Sequence, residues 1–82
     1  MAVRVSRSRN RRRTRAGHIF GRNLRRVCAA RDIDAARLAE LMDRSRESIE
    51  RMLTGKGNPT LRFLVRVAHR TNVRLIDLVR GL

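Results

Sequence analysis

Apolar residues recur every three or four positions from residue 17 onward, which is the spacing of one helix face. No segment shows the strict apolar–polar alternation of a half-buried strand. The residues predicted to face inward are, segment by segment, Phe20, Leu24, Val27 and Cys28; Leu38, Ala39 and Met42; Ile49, Met52 and Leu53; Leu61, Leu64, Val65 and Ala68; and Leu75, Leu78 and Val79. The pattern predicts an all-α fold, a compact bundle of about five short helices.

Helix-capping residues stand at three of the predicted helix starts. Asp34, Ser45 and Thr60 each precede an amphipathic segment, and their side-chain oxygens can accept hydrogen bonds from backbone N–H groups of the first turn. Residues 55–59 hold two glycines, an asparagine and the only proline of the chain, so they predict a loop.

The second and third predicted helices lie within residues 34–53 and are joined by a connector of about three residues. Such a tight junction favours the helix-turn-helix arrangement, in which the second helix enters the major groove of DNA. Ala39 is small enough to let the helices approach closely, and Ile49 can lock the second helix onto the first. The outward positions of that second helix are Arg46, Glu47, Glu50 and Arg51.

The charge of the chain favours a polyanionic partner. The 82 residues include 21 basic and 7 acidic side chains, for a formal net charge of +14. Lys56 is the only lysine, so nearly every cation is an arginine, whose planar fork can grip phosphate or guanine with two parallel hydrogen bonds.

Residues 1–16 form a segment of different composition. They contain seven arginines and no acidic residue, and too few apolar side chains to offset the entropy of ordering. We expect a basic arm that is disordered when free and orders along DNA, with residues 17–82 as the folded domain. A solubilising tail is the alternative. Besides Arg4, the arginines of the arm are Arg7, Arg9, Arg11, Arg12, Arg13 and Arg15.

Other classes of protein find little support. A lone cysteine excludes an internal disulfide, and one Cys with two distant His residues does not predict a metal site or any cofactor. We expect Cys28 in the core, and His18 and His69 as surface or hydrogen-bonded core residues, not as ligands. No catalytic set of nucleophile, base and orienting group can be assembled, so we expect no enzyme. Without a membrane-spanning run or a secretory signal, a cytoplasmic, nucleoid-associated protein is expected.

An ordered set of motifs carries a family resemblance. The motifs are Phe20-Gly21-x-x-Leu24-Arg25, Leu38-Ala39-Glu40, Ser45-Arg46-x-Ser48-Ile49, Gly55-Lys56-x-Asn58-Pro59-Thr60-Leu61, Leu64-x-x-x-Ala68 and Val73-x-Leu75-x-x-Leu78. Over residues 19–82 the chain resembles the phage repressor and Cro helix-turn-helix family, also called the XRE family. The resemblance implies a lambda-repressor-like domain that binds double-stranded DNA.

The resemblance also implies which residues touch DNA. The family's base-reading positions correspond to Ser45, Arg46, Glu47 and Arg51, and an arginine there could donate twice to guanine. On a bare helix, Glu47 and Arg51 could instead form a surface ion pair. The family's phosphate-binding loop corresponds to Lys56, Gly57 and Asn58. Arg44, beside the turn, and Ser48 are further candidates for phosphate contacts.

Three positions depart from the family pattern. Ala35 replaces a glutamine that usually holds a phosphate and orients its neighbour, so the register on DNA loses an anchor. Asp43 stands where the turn usually has a left-handed glycine, although aspartate tolerates that conformation better than most residues. Arg74 stands where the last helix usually has a serine or threonine cap.

The sequence as a whole predicts a transcriptional regulator, a repressor, that binds a pseudo-palindromic operator as a homodimer. Alternatives are an antitoxin that also binds its own operator and a small protein partner, and a non-specific nucleoid protein. The C-terminal segment carries more apolar residues than one short helix can bury alone, which suggests a dimer surface; these residues could equally complete the monomer core. They are Val73, Ile76, Val79 and Leu82.

Overall fold

The computed structural model describes residues 14–82, which form five α-helices. In chain order they are α1 Arg15–Arg31, α2 Ala35–Met42, α3 Arg46–Leu53, α4 Leu61–Thr71 and α5 Leu75–Val79. The predicted all-α bundle is confirmed. Most of the predicted arm lies outside the described residues, and Arg15, which the composition groups with the arm, is the first residue of α1.

The core forms where α1 packs against α3 and α5, while α2 packs against α3 and α4. Phe20 of α1 and Phe63 of α4 meet edge to face, with ring centroids 6.4 Å apart. The side chains with less than 2% of their surface exposed are Phe20, Asn23, Leu24, Leu38, Met42, Ile49, Val67 and Leu78. This single core holds all five helices, and so fixes the position of α3.

The three predicted N-caps are confirmed. Asp34 Oδ1 accepts from the Arg37 N–H at 2.8 Å, Ser45 Oγ from the Ser48 N–H at 3.1 Å, and Thr60 Oγ1 from the Phe63 N–H at 3.1 Å. Each oxygen satisfies a first-turn donor that has no partner within its helix.

Three helices end on an aspartate or asparagine in the left-handed conformation. Asp32, Asp43 and Asn72 follow α1, α2 and α4 with φ of 58°, 56° and 59°. The expectation that Asp43 can take the role of a turn glycine is confirmed: its N–H donates to Glu40 O, and the next N–H, of Arg44, donates to Ala39 O.

The predicted inward face of α4 is partly wrong. Leu61 and Val65 are 68% and 49% exposed, whereas Phe63 and Val67 are buried together with the correctly predicted Leu64 and Ala68. Both sets of positions satisfy helical spacing. The set containing Phe63 has the larger side chain, and its contact with Phe20 orients the helix.

The last helix, α5, begins without a side-chain acceptor from its cap residue, Arg74. Asp77 compensates, because its Oδ2 accepts from the Arg74 N–H at 3.3 Å. Asn23 of α1 holds the other end: its Nδ2 donates to Leu78 O at 2.8 Å and to Arg80 O at 3.0 Å.

The remaining expectations concern isolated side chains. Cys28 is buried as predicted, and burial raises the pKa of its thiol. Of the two environments expected for the histidines, the structure shows the surface one, since His18 and His69 are both exposed. Residues 14–82 bring together no group of three potential metal ligands. None of the described helices is both long enough and apolar enough to cross a membrane.

Candidate nucleic-acid interface

Helices α2 and α3 form the helix-turn-helix unit that the sequence predicts. They are connected by Asp43, Arg44 and Ser45. The connector is held at both ends, because Asp43 closes α2 in the left-handed conformation and Ser45 caps α3. Ile49 of α3 is fully buried, and Ala39 of α2 is 7% exposed. The apolar side of α3 is therefore fixed, and its opposite side is left to solvent.

The exposed side of α3 presents Arg46, Glu47, Glu50 and Arg51. Glu47 stands in the first turn, where the helix dipole stabilises a carboxylate. Ser45 is also exposed, and since its oxygen accepts from Ser48, its hydroxyl proton remains available to donate. All four residues that the sequence assigns to base contacts thus lie at or near this surface.

The ion pair on the outward side of α3 joins Arg46 to Glu50 and not Glu47 to Arg51. Arg46 Nε donates to Glu50 Oε2 at 3.1 Å. Three ion pairs form within residues 14–82, and none of them joins Glu47 to Arg51. The Arg51 nitrogens and the Glu47 carboxylate oxygens therefore lie more than 4.0 Å apart. The alternative surface pair of Glu47 and Arg51 is therefore absent from the described residues.

A groove beside α3 contains every residue that the sequence assigns to phosphates. Helix α3, the following loop and the start of α4 form its walls. Arg51 also borders this groove, so it lies between the base-reading and phosphate-binding sets. We call this feature the loop groove; its lining residues are Phe20, Arg44, Ser48, Arg51, Met52, Lys56, Gly57, Asn58, Pro59, Thr60 and Phe63.

The loop groove has the charge and donors that an anion requires. Within residues 14–82 its charged lining residues are Arg44, Arg51 and Lys56, and none of its lining residues is acidic. The Arg44 guanidinium lies over the Phe63 ring, 4.8 Å from the centroid, and this stacking restrains its position. The start of α4 adds the positive end of an eleven-residue helix.

Two glycines of α1 lie against the backbone at the end of α3 and in the loop that follows it. A Cβ on Gly17 would lie 2.2 Å from Gly57 O, and a Cβ on Gly21 would lie 2.7 Å from Met52 O. Only glycine permits this close approach of the loop, at Gly17, and of the end of α3, at Gly21. Gly55 and Gly57 turn the loop with φ of 91° and 86°. Of these four glycines, the sequence assigns a phosphate contact to Gly57 alone.

Thr14 is a further residue of this region that sequence reasoning missed. Its Oγ1 accepts from the Gly17 N–H at 2.9 Å and lies 3.0 Å from Gly57 O and 3.2 Å from Asn58 Oδ1. A threonine before a helix could have signalled the cap, but not a contact 43 residues away. The start of α1 is thereby attached to the loop groove.

Three other arginines hold the fold together. Arg31 donates to Asn72 O at 2.8 Å, Arg70 donates to Leu41 O at 2.6 Å, and Arg25 donates to Leu53 O. Each acceptor lies at or just beyond the C-terminal end of a different helix, where carbonyls lack helical partners and the dipole favours a cation. These cations serve structure, so charge alone does not identify a DNA contact.

The residues predicted for a dimer surface separate into two pairs. Val73 and Val79 are half-buried and pack against the monomer core. Ile76 and Leu82 are 47% and 57% exposed. Completion of the monomer core, the alternative reading of this segment, accounts for the first pair and not for the second.

Comparison with known proteins identifies the same region. The family model described as a helix-turn-helix domain matches residues 19–79, which include all five helices except the first four residues of α1. No curated protein and no solved structure matches the chain significantly.

Proposed function

Because the chain belongs to the helix-turn-helix domain family, whose members bind DNA, we propose that it is a sequence-specific transcriptional regulator acting as a repressor of the phage repressor and Cro type. The observation that carries the proposal is the loop groove. Residues 44, 48, 56, 57 and 58, scattered over fifteen positions of sequence, converge on one basic groove beside the exposed side of α3.

In this proposal α3 enters the major groove of DNA and the loop groove receives the adjacent backbone. Arg46 donates to guanine, while Ser45 and Glu47 contact neighbouring base edges. Lys56, Arg44, Ser48 and the backbone of Gly57 and Asn58 hold phosphates, which fixes register without reading sequence. Arg51 borders both regions and can reach either a base or a phosphate.

The protein is proposed to bind as a homodimer on two half-sites about one helical turn apart. Ile76 and Leu82 support this, because both are large apolar side chains left about half exposed at the C-terminal end. Val73 and Val79 contribute only the parts of their side chains that the monomer core leaves open.

The test is selection of binding sequences from a random duplex library at about 150 mM salt, where non-specific phosphate attraction is weakened. We expect an inverted repeat, and loss of preference at one base pair per half-site in Arg46→Ala. If affinity only follows charge and no consensus emerges, the proposal is wrong. A single, unrepeated consensus would reject the dimer and retain the specific regulator.

A further inference from the structure

The ion pair between Arg46 and Glu50 lies on the exposed side of the proposed reading helix. Arg46 Nε donates to Glu50 Oε2 at 3.1 Å, and the two side chains are 66% and 51% exposed. The sequence assigns Glu50 no role in DNA contact. Its carboxylate nevertheless touches the arginine at the very start of α3, where base edges would lie.

An ion pair between residues four apart stabilises a helix only slightly, and two features make this pair weaker than most. Arg46 is the first residue of α3, where the helix dipole disfavours a cation. An arginine that precedes its glutamate by four residues is also the less favourable order. Glu47 and Arg51 have the favourable order, yet they form no ion pair within residues 14–82. The general preferences of a helix therefore do not single out the Arg46–Glu50 pair over a Glu47–Arg51 pair.

The geometry of the pair determines what Arg46 can still do. A guanidinium has five N–H donors, and the carboxylate of Glu50 engages the one on Nε. The donors on Nη1 and Nη2 remain, and they can form the two parallel bonds that match O6 and N7 of guanine. Contact with Glu50 also restrains a long, otherwise mobile side chain before DNA arrives, so less entropy is lost on binding.

The negative charge of Glu50 also favours base recognition by Arg46. A carboxylate beside Arg46 partly neutralises it and repels phosphates, so Arg46 gains less from the backbone of an arbitrary duplex. A guanine that accepts both Nη donors leaves the contact with Glu50 intact. The pair therefore favours reading over non-specific attraction.

We propose that Glu50 is a specificity-determining positioning residue, which holds Arg46 by its Nε so that the Nη donors face guanine. This inference rests on the proposed function. The residue acts through Arg46 and is not required to touch DNA.

The experiment compares the unaltered chain, Glu50→Ala, Arg46→Ala and the double variant on the selected duplex and on its single base-pair variants. Arg46→Ala identifies the base pair that Arg46 reads. We expect Glu50→Ala to reduce discrimination at that base pair by roughly three- to tenfold. Discrimination at the other base pairs should not change. When Arg46 is already replaced by alanine, Glu50→Ala should have no further effect on discrimination. Glu50→Gln keeps an acceptor for Nε and should retain most of the discrimination.

Glu40→Ala is the matched control. It opens the Arg37–Glu40 pair of α2, which has a 3.0 Å contact and side chains 60% and 70% exposed. It removes the same charge, so it should raise the affinity for all duplexes alike. The assignment is overturned if Glu50→Ala behaves like Glu40→Ala, or has the same effect with Arg46 absent. If the unaltered protein shows no sequence preference, the proposed function fails as well.

Discussion

Asn23 is a fully buried polar residue that joins the first helix to the last. Its amide nitrogen satisfies two carbonyls that lie 55 and 57 residues away, at the end of α5. Helix α5 has only five residues and a weak cap, so its own hydrogen bonds contribute little. The amide of Asn23 is therefore a main anchor for this helix.

We expect Asn23→Ala to lower the free energy of unfolding by about 2 kcal/mol, because the buried carbonyl of Leu78 and the partly buried carbonyl of Arg80 would lose their donor and the removed amide would leave a void. Urea denaturation followed by circular dichroism measures this. Arg26→Ala, at an exposed position of the same helix, is the control and should change little. Equal, small effects of both variants would show that Asn23 does not anchor α5.

At the scale of elements, the contact between α1 and the loop groove is the joint on which the proposed interface depends. Gly17 and Gly21 allow the loop to approach α1, and Thr14 bonds the two together. Both glycines lie inside a helix, where alanine is ordinarily the better residue by about 1 kcal/mol. Their presence is explained by the approach of the loop.

We expect Gly17→Ala to destabilise the protein by about 2–3 kcal/mol despite the gain in helix propensity, since the new Cβ would meet the backbone oxygen of Gly57. Thermal unfolding with and without DNA separates this effect from binding. Ala30→Gly, at an exposed position in the last turn of the same helix, should cost less than the roughly 1 kcal/mol of a helix interior. A Gly17→Ala protein as stable as the original would contradict the close approach.

The elements that sequence predicted are those with local signals. Asp34, Ser45 and Thr60 each cap a donor three residues ahead, so the signal and its target are adjacent in the chain. The face of α4 was partly misassigned because two registers fit its spacing, and only the distant Phe20 decides between them. The partners of Asn23 and Thr14 lie more than forty residues away and leave no local pattern.

The residues of the candidate interface could be predicted from the sequence, but the pairing of their side chains could not. Sequence resemblance selected the residues that converge on the loop groove, although it could not show that Arg51 borders this groove as well. The pairing of Arg46 with Glu50 instead of Glu47 with Arg51 depends on side-chain rotamers, which spacing alone does not determine.

At the scale of the whole molecule, the excess of positive charge divides into parts with different roles. Arg25, Arg31 and Arg70 stabilise helix ends, whereas Arg44, Arg51 and Lys56 border the loop groove. The chain preceding Thr14 carries further arginines and joins α1 beside the groove. We propose that this basic arm follows the DNA backbone from that point.

Removal of residues 1–13 should therefore weaken binding to every duplex and flatten its salt dependence by about 0.9 logarithmic unit for each phosphate that the shortened protein no longer neutralises. Affinities measured over a range of salt concentrations give the slope. The ratio of specific to random affinity should hardly change. An unaltered slope would mean that the arm does not touch phosphates and serves solubility alone.

Helix α3 is proposed to recognise bases and the loop groove to hold phosphates, and one comparison of affinities separates the two roles. The affinities of Arg46→Ala and Lys56→Ala are measured on the selected duplex and on a scrambled duplex of equal length at matched salt. Arg46→Ala should lose roughly 1–3 kcal/mol on the selected duplex and little on the scrambled one. Lys56→Ala should lose similar amounts on both. If each variant lowers both affinities equally, α3 supplies only charge, and the claim that it reads sequence is contradicted.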